Sequence, residues 1–133
     1  MSLQETDKAA ATVAVAPRVS LADIEAAIAE RIDVTNESLF QILGHSSVDT
    51  NGGVPPSMHA VESLKLLSLC ILVMKNGFTI VGKSAPASAA NFNAELGRKF
   101  AYEDAVRQVW PLMGFSLRDR LAAQALSDGL RGV

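Results

Sequence analysis

The 133-residue sequence has little of what enzymes most often use for chemistry: one cysteine, two histidines and 5% aromatic residues. A single cysteine excludes an intramolecular disulfide and any metal site built from cysteines alone. His45 and His59 have neither an HExxH motif nor a cysteine pair beside them, so we expect no metal and no cofactor. Because no nucleophile is grouped with an acid or base, we expect no catalytic residue and a protein that is not an enzyme.

Long hydrophobic runs are absent as well. The most apolar stretch, residues 64–74, contains Lys65 and is far shorter than the roughly 20 residues that a membrane helix needs. The alanine-rich stretch at residues 9–16 follows Glu5 and Asp7 instead of the basic residues of a signal peptide. We therefore expect a cytoplasmic protein that has no contact with membranes.

The net charge of −2 is unevenly distributed along the chain. Residues 1–64 carry nine acids and three bases, whereas residues 65–133 carry nine bases and five acids. This excess of bases is too small for a sustained grip on a nucleic acid, so nucleic-acid binding is not expected. A small nucleotide-like anion remains a candidate partner, and so does plain solubility as the role of these charges.

Apolar residues make up 49% of the chain, which is enough for one folded core. We predict a flexible N-terminal tail over residues 1–17, because this stretch has no apolar periodicity. Residues 18–133 then form a single domain, with a long irregular segment over residues 33–61 that contains the glycine and proline pairs.

The strongest local signal is the pair Asn76-Gly77, which lies between two β-rich runs at residues 66–75 and 78–84. This pair favours a two-residue turn that would place Val73 opposite Ile80 and Leu72 opposite Val81. Both faces of such a hairpin are largely apolar, and an isolated hairpin is marginal in water. We therefore expect another subunit to extend or cover the hairpin, in a homo-oligomer. The fully apolar face would hold Leu69, Ile71, Val73, Phe78 and Ile80.

Residues 77–84, GFTIVGKS, fit the phosphate-loop pattern G-x-x-x-x-G-K-[ST] letter for letter. A phosphate-cradling loop needs small residues and a helix that starts at the lysine. The four variable positions here are one aromatic residue and three β-branched residues, and Pro86 follows shortly after. The segment is therefore predicted to be the second strand of the hairpin.

Helices are predicted on both sides of the hairpin. The first covers residues 21–32, with Ser20 as its N-cap and Asp23 completing a capping box. The second covers residues 89–110, with Ser88 as its N-cap, and ends at Pro111. The third covers residues 117–126. The predicted fold class is thus α+β, an antiparallel hairpin packed with three helices.

The polar side of the second helix provides the only candidate binding residues. Arginine, lysine and tyrosine side chains there, with an asparagine at the helix start, suit a phosphate or a nucleobase. The alternative is a solvated face that is held by the pairs Glu95–Lys99 and Glu103–Arg107. The candidate ligand-binding residues are Asn91, Arg98, Lys99, Tyr102 and Arg107.

Three stretches resemble a family of small tailed-phage and prophage proteins, the gene-product forty-nine/sixty-six family. They are LCILVMKNGFT at residues 69–79, NFNAELGRK at 91–99 and VWPLMGF at 109–115. The chain departs from the family pattern at Lys83 and Pro86. The resemblance implies a phage or prophage origin and a bacterial host cytoplasm, and it supplies no catalytic residue.

Some phage counter-defence proteins that sequester cyclic nucleotide immune signals are similar to this hairpin-and-helix core. That similarity implies an oligomeric, non-enzymatic binding protein whose ligand is such a nucleotide. The alternative function is a protein–protein interaction module that acts on a host factor through the apolar hairpin face.

Overall fold

The computed structural model describes residues 2–45 and 47–131, with the backbone alone for Asn36 and Arg131. It confirms an α+β fold in which a three-stranded antiparallel sheet, in the order β1-β2-β3, packs against helices. The elements in chain order are α1 (Leu3–Val13), α2 (Leu21–Ala27), β1 (Ile28–Val34), α3 (Asn36–Leu43), α4 (Met58–Leu64), β2 (Ser68–Met74), β3 (Thr79–Ser84), a 3-10 turn (Ala89–Asn91) and α5 (Ala94–Arg131).

The predicted hairpin is present as β2 and β3, but its turn is longer than predicted. The N–H of Met74 donates to the carbonyl of Phe78 and the N–H of Gly77 donates to that of Met74, both at 2.8 Å. Only Gly77 of the turn takes a positive φ, of 89°. The loop therefore has three residues, as in a type I turn followed by a glycine bulge, instead of the two predicted.

The longer turn makes the predicted register wrong by one residue. Leu72 lies opposite Ile80, and Val73 lies opposite Thr79. A slip of one residue moves every side chain of a strand to the other face of the sheet. Ile80 consequently faces the core with Leu72, and Val81 points outward with Ile71.

The predicted helix over residues 21–32 is correct only as far as Ala27. Its capping box forms as predicted, since Ser20 Oγ accepts from the Asp23 N–H and the Ser20 N–H donates to the Asp23 carboxylate. From Ile28 the chain is strand β1, which pairs with the free edge of β2. A register shift between Ile28 and Glu30 turns Ile28 to the core side and Ile32 to the outer side, so their helical spacing was misleading.

Strand β1 also changes the premise of the predicted oligomer. The hairpin is not a two-stranded ribbon, because the same chain supplies a third strand. Extension of the sheet therefore needs no second subunit. Association of copies through another surface does not depend on the sheet order.

The predicted helices over residues 89–110 and 117–126 are one continuous helix from Ala94 to Arg131, with Pro111 inside it. Proline has no N–H and cannot donate to the carbonyl of Arg107, four residues earlier. Both Pro111 and Arg107 are exposed, so water can satisfy that carbonyl. Val109 before the proline and Met113 after it pack on the same core, which keeps the helix continuous. Ser88 caps the short 3-10 turn instead of α5.

The core lies between the sheet and α5, which crosses β2 and β3. Two glycines allow this close approach. A Cβ at Gly82 would lie 2.6 Å from the Ala105 backbone nitrogen and 2.7 Å from its Cβ, and one at Gly97 would collide with Ser68 Oγ. Helix and sheet are therefore in backbone contact at Gly82, and small residues fix their separation.

The N-terminal segment differs from the flexible tail predicted for residues 1–17. It contains helix α1, whose capping box joins Ser2 and Glu5, and Leu3 is part of the core. Arg18 Nη1 donates to Asp7 Oδ1 at 2.8 Å, and the Leu21 N–H donates to the same oxygen at 3.0 Å. These contacts tie α1 to the start of α2. A capping pattern, and not apolar periodicity, was the signal for this helix.

The segment predicted to be irregular, residues 33–61, is partly helical. It contains the end of β1, all of α3 and the start of α4, which leaves residues 44–57 without a helix or strand where they are described. Ser57 Oγ accepts from the Ala60 N–H at 3.2 Å and so begins α4. Within the described ranges, no helix combines the length and apolarity needed to cross a bilayer.

Candidate functional site

Of the predicted binding residues, Tyr102 has the most specific surroundings. The Arg31 guanidinium lies over its ring, 4.1 Å from the centroid, and Arg31 Nε donates to Asp33 Oδ1 at 3.2 Å. Burial raises the pKa of the Tyr102 hydroxyl, and the carboxylate of Glu25 adds to this. The tyrosine is thus already engaged by a cation of its own chain.

The other four residues do not join Tyr102 in one site. Arg98 precedes it by one helical turn and is half-buried, so these two share a side of α5. Lys99 and Arg107 are exposed at other angles around the helix. Asn91 lies in the 3-10 turn and lines a separate cavity of about 240 Å³ beside the start of α5. Of this set, Arg98 and Tyr102 thus lie on the same side of α5, and Asn91 is apart from both.

The alternative interpretation of that helix face, with salt bridges along it, also differs from the structure. Among the described residues, neither Glu95 with Lys99 nor Glu103 with Arg107 is within ion-pair distance. Glu103 is instead buried, with 8% of its surface exposed. A spacing of four residues along the helix was therefore not sufficient to predict ion pairs between these side chains.

The lone cysteine is not a reactive nucleophile in this environment. Cys70 is fully buried in β2, on the core side of the sheet. Burial, followed by the nearby Asp33 carboxylate, raises the pKa of its thiol to about 11. Thiolate chemistry requires a lowered pKa and access from solvent, and Cys70 has neither.

The histidines lie apart from these groups. His45 Nδ1 is 2.7 Å from Ser47 Oγ, in the irregular segment after α3. In the parts of the chain that the structure describes, no three histidine, cysteine or acidic side chains are placed to hold a metal ion. Residues 79–84 of the phosphate-loop pattern form β3, as predicted, so their amides belong to a sheet and not to a phosphate-binding loop.

A largely apolar surface is formed by the side of the sheet that faces away from α5, which we term the outer face. Its middle cross-strand row is Ile32, Ile71 and Val81, one from each strand. Ile32 is 47% exposed and Val81 is 52% exposed, and no described helix packs across this face as α5 does across the other. The rows above and below contribute Val34, Leu69, Lys83, Glu30, Val73 and Thr79.

Sequence reasoning found part of this face and missed the rest. Leu69, Ile71 and Val73 were placed together correctly, because alternation along one strand does not depend on the turn. Val81 was missed because of the register error, and Ile32 because β1 was predicted to be helical. The alternation of Ile32 and Val34 with charged residues was the available signal for a strand.

The free edge of β3 is closed by side chains from α5. Gln108 Nε2 donates to the Val81 carbonyl at 2.8 Å, and the Lys83 N–H donates to Asp104 Oδ2 at 3.0 Å. Gln108 also donates to Asp104, at 3.3 Å. These backbone groups would otherwise be open to a strand from another chain. Addition of a strand at this edge is thereby disfavoured, and binding through the outer face is left open.

A second apolar feature is a groove of about 430 Å³ between the hairpin tip and α5, which we term the tip groove. Phe78, at its rim, is 55% exposed, and Leu112, also at its rim, is 47% exposed. The full lining is Ala27, Met74, Lys75, Asn76, Phe78, Ile80, Val109, Leu112, Met113 and Ser116.

Comparison with known proteins places the chain in a family without assigning it an activity. No curated protein and no solved structure matches it. The family model described as "Phage protein (N4 Gp49/phage Sf6 gene 66) family" matches residues 19–121. This range includes α2, the whole sheet and α5 as far as Leu121. As the sequence resemblance implied, the chain belongs to the phage protein (N4 Gp49/phage Sf6 gene 66) family.

Proposed function

We propose that this phage protein is a non-enzymatic interaction module that binds a host protein through the outer face of its sheet. The observation that supports this proposal is the uncovered row of Ile32, Ile71 and Val81. Exposed apolar rows across several strands are costly to leave in water, and contiguous patches of this kind mark interaction surfaces. A host partner would place the protein in the bacterial cytoplasm.

The outer face has charges at two diagonal corners that define what the partner must offer. Glu30 lies on β1 in the row nearest the hairpin tip, and Lys83 lies on β3 in the row farthest from it. A matching partner surface is apolar at its centre, with a basic group opposite Glu30 and an acidic group opposite Lys83. Since β2 is held on both edges, the face is rigid and loses little conformational entropy on binding.

Sequestration of a cyclic nucleotide-type signal stays a prediction. It depends on Asn91, Arg98, Lys99, Tyr102 and Arg107 acting together, and Asn91 and Arg107 lie apart from the side of α5 that Arg98 and Tyr102 share. An arginine is already stacked on Tyr102. For these reasons we favour the protein partner.

The proposal is tested by capture from host lysate followed by reconstitution with the purified partner. Val81→Glu places a charge in the centre of the outer face, whereas Val54→Glu places the same charge at an exposed valine in the irregular segment. We expect Val81→Glu to weaken binding at least roughly 30-fold, equivalent to about 2 kcal/mol, in isothermal titration calorimetry. Val54→Glu should bind as the wild type does.

Two results would count against this function. One is a captured partner that binds Val81→Glu and wild type equally well. The other is the absence of any partner together with a rise in melting temperature on adding cyclic nucleotides. The second result would favour the sequestration hypothesis, and Arg98→Ala with Tyr102→Ala would then be expected to abolish the rise.

A further inference from the structure

The C-terminal part of α5 extends beyond the rest of the domain. Every residue from Arg118 to Leu130 is exposed, with Ser127 as the one exception. At 1.5 Å per residue this projecting end, residues 118–130, is roughly 20 Å long. It nevertheless carries large apolar side chains, with Leu126 at 68% and Leu130 at 71% exposure. Since most of the stability of a helix in a protein comes from packing of an apolar face, a surface to pack against would stabilise this end.

The apolar side chains of the projecting end continue a line that begins in the tip groove. Leu112 and Ser116 line the groove, and the positions that follow at alternating spacings of three and four residues lie on the same side of α5. We term this line the α5 stripe. It consists of Leu112, Ser116, Asp119, Ala123, Leu126 and Leu130.

We propose that two copies of the chain pair antiparallel along the α5 stripe, with the projecting end of each helix lying in the tip groove of the other. An antiparallel pair centred on residue 121 brings Leu112 level with Leu130 of the second copy, and Ser116 level with Leu126. Leu130 and Leu126 of each copy are thereby buried beside Phe78 and Leu112 of the other. Both copies use the same surfaces, so the pair is closed by a two-fold axis.

The charges along the stripe suit this arrangement. Asp119 is the one acidic residue in the stripe, and Arg120 lies beside it, since its guanidinium donates to Ser116 Oγ at 3.0 Å. In the pairing centred on residue 121, Asp119 lies about 4.5 Å along the axis from the level of Arg120 of the second copy. An arginine side chain can span that offset. The two-fold axis forms this ion pair twice, and a parallel pair would instead set Asp119 level with Asp119.

A second copy fits the groove better than an unrelated helix because the same molecule supplies both halves of the contact. The contact would run from Leu112 to Leu130, about 27 Å along each helix. It leaves the outer face of the sheet free, so it does not depend on the function proposed above. The oligomer expected from the sequence is thus assigned to the α5 stripe and the tip groove, and not to the faces of the hairpin.

The first test is the oligomeric state of the full chain, measured by light scattering after size exclusion and by sedimentation. Wild type should be a dimer at micromolar concentration. Leu126→Asp combined with Leu130→Asp should raise the dissociation constant at least tenfold. Leu121→Asp, a matched change on the other side of the same projecting end, should leave the dimer intact. A monomeric wild type, or a double variant that dimerises as well as wild type does, overturns the proposal.

The second test reads the register of the pair. Single variants Leu112→Cys and Leu130→Cys are mixed and oxidised. The native Cys70 is buried, so it should not take part in the disulfides. The mixed disulfide should form in preference to either homodisulfide. Homodisulfides at both positions would show a parallel pair and refute the antiparallel arrangement. Asp119→Arg should weaken the dimer, and Asp119→Arg with Arg120→Asp should restore it; an unchanged affinity in Asp119→Arg would contradict the ion pair.

Discussion

The contact between β3 and α5 at Gly82 can be tested with a single methyl group. In Gly82→Ala the new Cβ would collide with the Ala101 carbonyl oxygen and the Ala105 nitrogen, both of them backbone atoms. Backbone of a helix cannot rotate out of the way as a side chain can, so α5 must move off the sheet. Overpacking of this kind costs about 1–3 kcal/mol, and contact with backbone puts Gly82 at the upper end of that range.

The opposing effect is the loss of glycine's freedom in the unfolded chain, which stabilises the variant by roughly 0.5–1 kcal/mol. We therefore expect a net loss of about 2 kcal/mol in the free energy of unfolding and a fall in melting temperature of roughly 5–10 °C. The matched control is Gly129→Ala in α5, where nothing lies within 4 Å of the new methyl. That change should stabilise slightly, because alanine is the better helix former.

The assay is urea unfolding followed by circular dichroism, with the slope of free energy against urea compared between variants. An equal slope would show that the two folded states bury similar surface. If Gly82→Ala unfolds within about 0.5 kcal/mol of wild type, the close approach of α5 to β3 is wrong.

Three other predictions concern α5, α1 and the core. Pro111→Ala should raise the free energy of unfolding by about 1–2 kcal/mol, because it restores a helical hydrogen bond; a loss of stability in thermal melts would indicate two helices with a required break. Arg18, and next the Leu21 N–H, lower the pKa of Asp7, so its stabilising contact is present above the usual carboxyl pKa and is lost as the pH falls through the lowered value. Melting temperature should therefore decline below about pH 4, and this decline should be smaller in Asp7→Asn. Cys70 should react with a thiol reagent at pH 8 only after unfolding, since its pKa is about 11; fast reaction of the native protein would show that the thiol is accessible.

The sequence predicted features that depend on a few neighbouring residues. The capping box of Ser20 and Asp23 is one example, and the assignment of residues 79–84 to a strand is another. Each is decided by local hydrogen bonding or side-chain shape, so it does not require knowledge of distant contacts.

Other features depended on the tertiary structure. The spacing of Ile28 and Ile32 is compatible with both a helix and a strand. The segment is a strand because it pairs with β2. Pro111 lies inside α5 because core contacts on both sides of it outweigh the missing hydrogen bond. The pair Asn-Gly is compatible with hairpin loops of two or three residues, so the sequence did not decide the loop length. In the structure only Gly77 takes a positive φ, as the three-residue loop requires.

The candidate site was the least predictable part. Residues that point in a similar direction from one helix can still contact different parts of the molecule. The sequence also does not show that Arg31 comes from β1 to stack on Tyr102. The outer face and the tip groove both combine residues far apart in sequence, such as Ile32 with Val81. Surfaces of that kind become visible only when strand order and register are known.

The two side chains that close the β3 edge affect how the protein behaves when it is abundant. At high concentration, open strand edges would let copies of the chain pair with one another and polymerise. Gln108 and Asp104 occupy the central polar groups of that edge, so growth strand by strand is blocked at its start. Copies that associate through side-chain surfaces such as the α5 stripe can instead form closed assemblies of limited size.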